Sequence, residues 1–381
     1  MWRPGRGRAY RVRQYQARAT IKDVAARAGV SPSAVSMALH DRPGVSSATR
    51  ERILTAAREL GWRPNQAAQS LSGRRVHTVG LAIAKPARTP GPEPFCLEFL
   101  SGVDNVLIER SCSLLLRLVD ADEEVEVHRK WWQEGRVNGS ILLDVRTQDA
   151  RIPALAAIDL PTVVVGHPSL AGPFTSVHTD DEAAAVEAVR HLAALGHRVV
   201  AHVGGSPELG RTVLRARAFE DAARRLGLTA RSVHTGSSPD EGTRTCRDLM
   251  LSRDSPTAVL FDSDITAAAA LGVAAESGLR VPQDLSLLAW DDSPLCRLTR
   301  PTLSAMRHDV FAFGALAART LFDVMGGAGH TSHSVRPPTL VPRGSTGPAP
   351  RDRHHHACPE RPVARRRADP PREPGPCGTG G

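Results

Sequence analysis

The 381-residue sequence contains no uninterrupted run of about 18 apolar residues, which is the length that a membrane-spanning helix needs. The Arg-rich start is not followed by an apolar stretch, so a secretory signal is not expected either. Only six cysteines are present, and none of them forms a Cys-x-x-Cys pair or a zinc-ligand spacing with histidine. These absences predict a cytoplasmic protein with reduced thiols, without a disulfide framework, a metal site or a membrane anchor.

Acidic residues are scarce at both ends of the chain. Residues 1–19 contain six arginines and no acidic residue. Residues 20–75 contain nine basic and four acidic residues, and residues 347–381 contain seven basic and four acidic residues. Since the whole chain has a net charge of +9, residues 76–346 carry a net charge of −5. A small basic segment beside a mildly acidic body suits a polyanionic partner such as a nucleic acid, although charge kept for solubility gives the same pattern.

The two terminal segments lack apolar periodicity. Residues 1–19 have no helical apolar stripe and are predicted to be a disordered basic extension. A translation start placed too early is the alternative. Residues 347–381 contain 13 proline and glycine residues and no leucine. They are predicted to be a disordered Pro/Arg-rich tail that cannot form a coiled coil.

Short β-like apolar runs alternate with helical stretches over residues 77–346. The alternation predicts parallel sheets with helices on both faces. The segment is long for one doubly wound sheet, so two lobes are predicted, approximately 77–167 plus 308–328 and 168–307 plus 329–346. The predicted strands cover residues 78–84, 113–119, 139–143, 161–165, 199–203, 258–261 and 285–289. The predicted helices cover residues 96–109, 125–134, 182–195, 214–226, 242–251 and 265–277.

Residues 20–63 carry the start and stop signals of three short helices. Thr20-Ile-Lys-Asp23 has the form of a capping box, and Gly29 supplies the positive φ of a tight turn. Ser31-Pro32 is a second N-cap with proline at the first helical position. This spacing, together with the basic charge, predicts a helix-turn-helix rather than a generic three-helix bundle. The predicted helices cover residues 21–28, 32–39 and 47–60. The third is expected to bury Ile53, Leu54, Ala57 and Leu60.

The stretch from Thr20 to Leu39, with Val45-Ser46, Thr49-Arg-Glu-Arg-Ile53 and Leu60-Gly-Trp-Arg-Pro-Asn65, resembles the head of the lactose/purine repressor (LacI/GalR) family. The resemblance continues to about residue 346. It implies a small all-α helix-turn-helix head and an α/β periplasmic-binding-protein-like body of two Rossmann-like lobes. It also implies a transcriptional repressor that binds a palindromic operator in double-stranded DNA as a homodimer and responds to a small-molecule effector, expected to be a carbohydrate.

By this resemblance, the second helix of the head lies in the major groove of the operator. Pro32, Ser33 and Met37 then occupy the base-reading positions. Met37 offers apolar contact, for instance to a thymine methyl group, but no bidentate hydrogen bonds, and Pro32 has no donor. A solvent-facing Met37 is the alternative. Phosphate contacts are implied for Thr20, Ser31, Ser36 and His40.

Within the hinge and linker at residues 64–76, the seven-residue segment Asn65-Gln-Ala-Ala-Gln-Ser-Leu71 resembles the hinge helix of the family. So short a segment cannot hold a helix alone in water, because helix nucleation costs more than a few hydrogen bonds return. The resemblance makes Leu71 a wedge in a minor-groove step, while a capping role in the linker is the alternative. The contacts implied in this segment are those of Asn65, Ala68 and Leu71.

The body is expected to bind the effector in the cleft between its lobes. The resemblance places an aromatic ring, that of Phe95, over the cleft, and it gives Arg215 the role of holding ligand hydroxyls or a carboxylate. Core packing of Phe95 and a surface salt bridge of Arg215 are the alternatives. Asp291 is expected to accept ligand hydrogens, whereas Asp292 fits a ligand contact or a structural cap equally well. The implied effector-binding residues are Phe95, Arg215, Ser263, Asp264 and Asp291.

Two other classes of protein compete with this interpretation. A solute-binding protein of a transport system would need an export signal and no helix-turn-helix. An enzyme would need a catalytic constellation, but the sequence has no Gly-x-Ser-x-Gly elbow, no Gly-x4-Gly-Lys loop and no His-Glu-x-x-His motif. The sequence therefore predicts no catalytic residues, no metal and no cofactor, and it leaves the effector, the operator and the direction of the switch open.

Overall fold

The computed structural model describes residues 19–39, 43–62, 78–84, 94–236 and 239–351. The chain divides into two units, Met1–His77 and Thr78–Gly381. No helix among the described residues has the length and apolarity that crossing a membrane would require. In the same ranges, no group of three or more His, Cys, Asp or Glu side chains is placed to hold a metal ion.

The first unit contains three helices, α1 (Ile21–Ala28), α2 (Pro32–Leu39) and α3 (Ser47–Glu59). A capping box begins α1, because Thr20 Oγ1 accepts a hydrogen bond from Asp23 N (3.4 Å) and Asp23 Oδ2 accepts one from Thr20 N (2.7 Å). Hydrogen bonds from the backbone and the hydroxyl of Thr20 lower the pKa of Asp23. Gly29 ends α1 in the left-handed conformation, at φ 64°. These local signals confirm the predicted helix-turn-helix.

The core of the head is made mostly of alanine and valine, which lets the three helices approach closely. Val24, Val35 and Ile53 are completely buried. The expectation that Leu54 and Leu60 join this core is wrong, since their exposed fractions are 41% and 37%. On α3 the face that turns inward consists of Ile53, Ala56 and Ala57, and Leu54 lies about 100° around the helix from Ile53.

The second unit is built on two six-stranded sheets with helices on both faces, which confirms the predicted two-lobed α/β body. The first sheet has the strand order β11-β5-β4-β3-β1-β2 and is parallel throughout. Its strands are β1 (Thr78–Ala84), β2 (Ser113–Val119), β3 (Gly139–Leu142), β4 (Thr162–Val165), β5 (Thr175–His178) and β11 (Ser332–Ser334). Its helices are α4 (Pro94–Glu109), α5 (Glu124–Gln133), α6 (Arg151–Ala156) and α12 (Val310–Met325).

The second sheet has the order β12-β10-β9-β8-β6-β7, and only the edge strand β12 runs antiparallel to its neighbour. Completely buried side chains of its central strands form the core of this lobe. Its strands are β6 (Val199–Gly204), β7 (Thr229–His234), β8 (Ala258–Phe261), β9 (Ser286–Ala289), β10 (Ser304–Arg307) and β12 (Thr339–Val341). Its helices are α7 (Asp181–Ala194), α8 (Gly210–Arg225), α9 (Pro239–Leu251), α10 (Asp264–Glu276) and α11 (Pro294–Leu298).

The chain crosses three times between the lobes, after β5, after β10 and after β11. Two of the predicted lobe boundaries therefore change. Residues 168–178 belong to the first lobe and not the second, because β5 pairs with β4 in parallel register. Residues 329–334 also belong to the first lobe, because β11 pairs with β5. The parallel pairing of these short strands decides the boundary, and neither strand was predicted.

The described chain continues past the predicted body boundary at residue 346 as far as residue 351. Ser345 is completely buried, and its carbonyl accepts a hydrogen bond from Leu287 N at 2.8 Å. Further on, Ala349 N donates to Leu195 O at 2.8 Å. Residues 347–351 therefore lie on the second lobe, and the predicted tail can begin only after them.

Two helices of the first lobe cross at a pair of glycines. A Cβ on Gly102 of α4 would overlap the carbonyl oxygen of Phe311, and a Cβ on Gly314 of α12 would overlap that of Phe99. Phe99 and Phe313 pack beside this crossing, and their rings contact each other edge to face with centroids 5.8 Å apart. The close approach thus depends on two positions that tolerate no side chain.

Candidate DNA-binding head and effector cleft

The outer face of α2 presents small and apolar side chains. Val35 and Ala38 point into the core, while Pro32 and Ser33 are exposed and Met37 is partly exposed. The thioether of Met37 lies beside Gly44, where an added Cβ would be 3.6 Å from its sulfur atom. The predicted base-reading residues Pro32, Ser33 and Met37 therefore lie on the outer face of the second helix of the helix-turn-helix.

Other predicted DNA contacts of the head take part in helix capping. Ser31 Oγ accepts a hydrogen bond from Ala34 N (3.2 Å) and shares one with Ser33 Oγ (2.9 Å). Thr20 donates its hydroxyl to Asp23 Oδ2 at 2.8 Å. Thr20 and Ser31 are nevertheless exposed, and Ser36 is partly exposed. The remaining predicted contacts, which lie outside the described residues, are His40, Asn65, Ala68 and Leu71.

A cavity of about 630 Å³ lies between the two lobes of the body. Its walls come from the segments that follow the parallel strands β3, β4, β6, β8 and β9. The carboxyl ends of parallel strands are where α/β folds bind ligands. All five predicted effector-binding residues line this cavity, so the structure brings together Phe95, Arg215, Ser263, Asp264 and Asp291.

Arg215 is the most constrained of these residues. It lies on α8 with 9% of its surface exposed, and its guanidinium stacks 4.3 Å above the ring of Trp290. Its Nε donates to Asp181 Oδ2 at 2.8 Å, and its Nη1 lies 3.8 Å from Asp262 Oδ1. Burial disfavours the charged guanidinium, but Asp181 and Asp262 raise the pKa of Arg215. It is not the surface salt-bridge residue that the sequence left as an alternative.

A second pair of polar side chains, His202 and Asp262, belongs to the floor of the cavity beside Arg215. His202 on β6 is completely buried, and its Nε2 is 2.9 Å from Asp262 Oδ1 at the end of β8. Burial opposes ionisation of Asp262, but the interactions with His202 and Arg215 lower its pKa. A Cβ on Gly204 would stand only 3.1 Å from His202 Cε1 and 2.8 Å from Thr212 Cγ2, so glycine is needed beside the pair.

The other predicted residues surround this floor. Ser263 caps α10 by accepting a hydrogen bond from Ile265 N (3.2 Å), and Asp264, which is 4% exposed, accepts a hydrogen bond from Ser293 Oγ.

Asp291 Oδ1 is 3.1 Å from His308 Nε2. The ring of Phe95 stacks on that of His308 with centroids 5.9 Å apart. Phe95 also contacts the core at Phe99, so it joins the lobe core to the cavity wall.

Asp292 has a structural role. Its carboxylate pairs with Arg307 (2.7 Å) and Arg343 (2.7 Å), and only 2% of its side chain is exposed. Burial acts to raise the pKa of Asp292, but its hydrogen bonds with the two arginines lower it. Of the two roles left open for this residue, the structural one matches the geometry, through ion pairs with two arginines rather than through a helix cap.

Contacts between the lobes close the rim of the cavity near Arg211. Its guanidinium pairs with Asp144 of the first lobe, a residue that has the uncommon positive φ of 52°. Two backbone hydrogen bonds lie beside this pair, from Gly210 N to Val145 O (2.8 Å) and from Thr147 N to Glu208 O (3.0 Å). The lobes are therefore bridged here by backbone and side chains together.

Sequence reasoning missed the cavity residues Asp181, Asp262 and His308. Asp181 and His308 lie at crossovers between the lobes, which spacing along the chain does not reveal. Asp262 and His202 offered a weak signal, because each interrupts or ends an otherwise apolar strand. A buried strand that carries an ionisable residue needs a partner for it, and that requirement points to a polar floor.

Two family models match the chain. One, described as bacterial regulatory proteins, lacI family, matches residues 20–65, and the other, a periplasmic binding protein-like domain, matches residues 189–346. The HTH-type transcriptional regulator AglR of Rhizobium meliloti is 30% identical over 341 residues, which are 87% of this chain and 95% of that protein. The HTH-type transcriptional repressor PurR of Erwinia tasmaniensis is 30% identical over 87% of this chain and 98% of its own length.

Solved structures show the same relationship. A lac repressor dimer bound to operator and the anti-inducer ONPF has a TM-score of 0.75 and 28% identity, covering 86% of this chain and 99% of that one. A complex of the transcriptional regulator CelR with cellobiose has a TM-score of 0.66 and 27% identity, and the match covers 86% of this chain and 100% of that one. The chain thus matches its relatives over nearly their whole length, head and body together. It belongs to the lacI family of bacterial regulatory proteins and is a DNA-binding transcriptional regulator.

Proposed function

We propose that this regulator is a cytoplasmic repressor that binds a palindromic operator as a homodimer and is switched by a carbohydrate effector in the inter-lobe cavity. The observation that carries the proposal is the presence in one chain of a helix-turn-helix, whose second helix has an exposed outer face, and a polar cavity lined by both lobes. We assign residues 20–63 to the head and 64–76 to the hinge. The DNA contacts are those implied by the family resemblance, from Thr20 to Leu71.

The cavity is proposed to bind its ligand without transforming it. Nucleophilic catalysis would need a hydroxyl or thiol activated by an adjacent base. Among the described residues, the Nδ1 atom of His202 has no hydrogen-bond partner, and its Nε2 atom is engaged by Asp262. The thiol of Cys296 is no better placed, because burial and nearby carboxylates raise its pKa to about 12.

Operator binding should depend steeply on salt, and this dependence tests the proposal. Selection from random palindromic duplexes with the full chain is expected to recover an operator. Because binding releases the counterions of several phosphates, its affinity should fall about 1,000-fold or more between about 50 and 200 mM salt. Fluorescence anisotropy of a labelled duplex measures the effect, with a scrambled duplex of equal length as control. A flat salt response, or no preference for the selected duplex, contradicts the proposal.

The dimer surface is proposed to be the apolar outer face of the first lobe. Ile108 on α4 and Leu118 on the adjoining edge strand β2 are large aliphatic side chains that are 69% and 60% exposed. Ile108→Glu and Leu118→Lys should each weaken dimerisation about 30-fold or more, because each buries a charge in the interface. Sedimentation equilibrium measures the dissociation constant. The control is Leu226→Glu at the end of α8, and an unchanged dimer in both test variants would exclude this face.

A further inference from the structure

The charge of Arg215 is already neutralised inside the cavity. Two carboxylates face its guanidinium, Asp181 at 2.8 Å and Asp262 at 3.8 Å, and Asp262 also meets the completely buried His202. Arg215 therefore retains N–H groups that can donate hydrogen bonds but contributes no net positive charge to the floor. An anionic ligand group placed there would meet these carboxylates as well as the guanidinium.

Two buried oxygen atoms of the floor have no hydrogen-bond partner among the described residues. They are Oδ2 of Asp262, whose side chain is 9% exposed, and Oγ1 of Thr212, which belongs to a residue that is 1% exposed. Both residues line the cavity. A buried polar atom without a partner costs free energy, and such atoms at a cavity wall mark the places where a ligand completes the hydrogen bonding.

The chemistry of a ligand group that fits this floor is restricted. An ionised Asp262 is only an acceptor, so the group must donate a hydrogen bond to Oδ2. Arg215 is only a donor, so the same group or its neighbour must also accept one. A neutral hydroxyl does both, a carboxylate or a fully ionised phosphate cannot donate to Asp262, and an ammonium ion cannot accept from Arg215.

We propose that Asp262 is a specificity-determining residue of the cavity, which accepts a hydroxyl of a neutral effector and rejects its anionic derivatives. This inference rests on the proposed function and narrows it. The sequence left open whether Arg215 binds a hydroxyl or a carboxylate of the ligand, and the inference selects the hydroxyl. Asp262 acts here by direct contact, and His202 positions it from behind the floor.

The first test is a set of matched neutral and anionic compounds. The full chain is titrated by calorimetry with glucose, galactose, ribose, cellobiose and adenosine, and with gluconate, galactonate, ribose 5-phosphate, cellobionate and AMP, each up to about 10 mM. At least one neutral compound should bind, and its anionic partner should bind about 100-fold more weakly or not at all, because like charges meet in a desolvated site. Tighter binding of any anion, or no binding by any of the neutral compounds, overturns the inference.

The second test is Asp262→Asn, which keeps the shape of the side chain and leaves the Arg215–Asp181 pair in place. Binding of the neutral compound should weaken about 10- to 100-fold, because a charge-assisted hydrogen bond is lost. The ratio of the two dissociation constants, that of the anionic partner over that of the neutral compound, should shrink to less than about 10, since the repelling charge of Asp262 is gone. The matched control is Asp248→Asn, at an exposed position on α9 of the same lobe. It should change neither the affinity for the neutral compound nor the selectivity between the two compounds.

The selectivity ratio separates a direct role of Asp262 from a merely structural one. Loosening of the floor would weaken both members of a compound pair equally and leave the ratio unchanged, and this result overturns the inference. Operator binding of the same preparation is measured in parallel. Loss of operator recognition by the wild-type chain counts against the proposed function, whereas intact operator recognition with the wrong ligand selectivity counts only against Asp262.

Discussion

Replacing Arg215 by alanine is expected to destabilise the body by about 3–5 kcal/mol, because it leaves the carboxylates of Asp181 and Asp262 facing each other without their shared cation. The free energy of unfolding, measured by urea denaturation followed by circular dichroism, reports this loss. The variant should also lose the effector response, but that loss by itself would not identify a ligand contact. Arg215 therefore supports the fold of the cavity as well as facing its interior.

The control for this experiment is Arg224→Ala on the same helix. The side chain of Arg224 is 76% exposed and forms a surface ion pair with Asp221, so its loss should cost less than about 0.5 kcal/mol. Combining Arg215→Met with Asp181→Asn and Asp262→Asn removes all three charges, and it should recover most of the lost stability. A change below about 1 kcal/mol in Arg215→Ala would show that the two carboxylates do not depend on this cation.

The pH dependence of the Arg215 effect has a defined sign. Asp262 has a pKa below its ordinary value of 3.8 in the folded protein. Its stabilising contribution is therefore fully present above pH 3.8 and disappears as the pH falls through the lower folded value. The difference in stability between the wild type and Arg215→Ala should shrink over that acidic range. A difference that grows on acidification would contradict the assigned ion pairing.

Substituting alanine for Gly102 or Gly314 is expected to destabilise the first lobe by about 3 kcal/mol or more. In each case the added Cβ would overlap a backbone carbonyl of the opposite helix, that of Phe311 or Phe99, and backbone atoms cannot rotate away as a side chain can. Separating α4 from α12 would also open the core around Phe313. Thermal unfolding of the full chain, with operator binding as a second measurement, reports the effect.

Gly272→Ala in α10 is the matched control with the opposite expected sign. Among the described residues, no atom beyond the neighbouring backbone of the same helix lies within 4 Å of a Cβ built at Gly272, and the residue is in the helix interior. Alanine there should stabilise the protein by about 0.5–1 kcal/mol, because it reduces the conformational entropy of the unfolded chain. Equal effects at Gly102 and Gly272 would show that helix propensity, and not the helix crossing, decides the result.

Local sequence signals were sufficient to predict the helix-turn-helix and most of the buried central strands. The bounds of α1 and α2 follow from capping residues, Gly29 and a proline at the first helical position, all of which act within one turn of chain. The strands β1 and β8 match the predicted residues because apolar runs bounded by polar residues are typical of parallel strands buried on both faces. The bounds of β2 match as well, although β2 is a largely exposed edge strand.

The strands that sequence reasoning missed are short or lie at sheet edges. β5 has four residues, β11 and β12 have three each, and none of them forms an apolar run long enough to show a period. Their pairing partners are what make them strands: β11 adds to β5 across more than 150 residues of sequence. The predicted lobe boundaries were wrong for the same reason, because both depended on strands that only long-range pairing defines.

What the sequence determined by itself is the kind of molecule: a basic helix-turn-helix head, an α/β body of two lobes, and residues such as Phe95, Arg215 and Asp291 that the family resemblance assigns to one cavity. Only the tertiary structure decided what Arg215 does there. Asp181 lies 34 residues before it and Asp262 lies 47 residues after it in the chain. No local pattern joins three such positions. They meet because parallel strands end at one edge of the sheet and the chain returns between the lobes, and burial at that edge then forces every charge to find a partner.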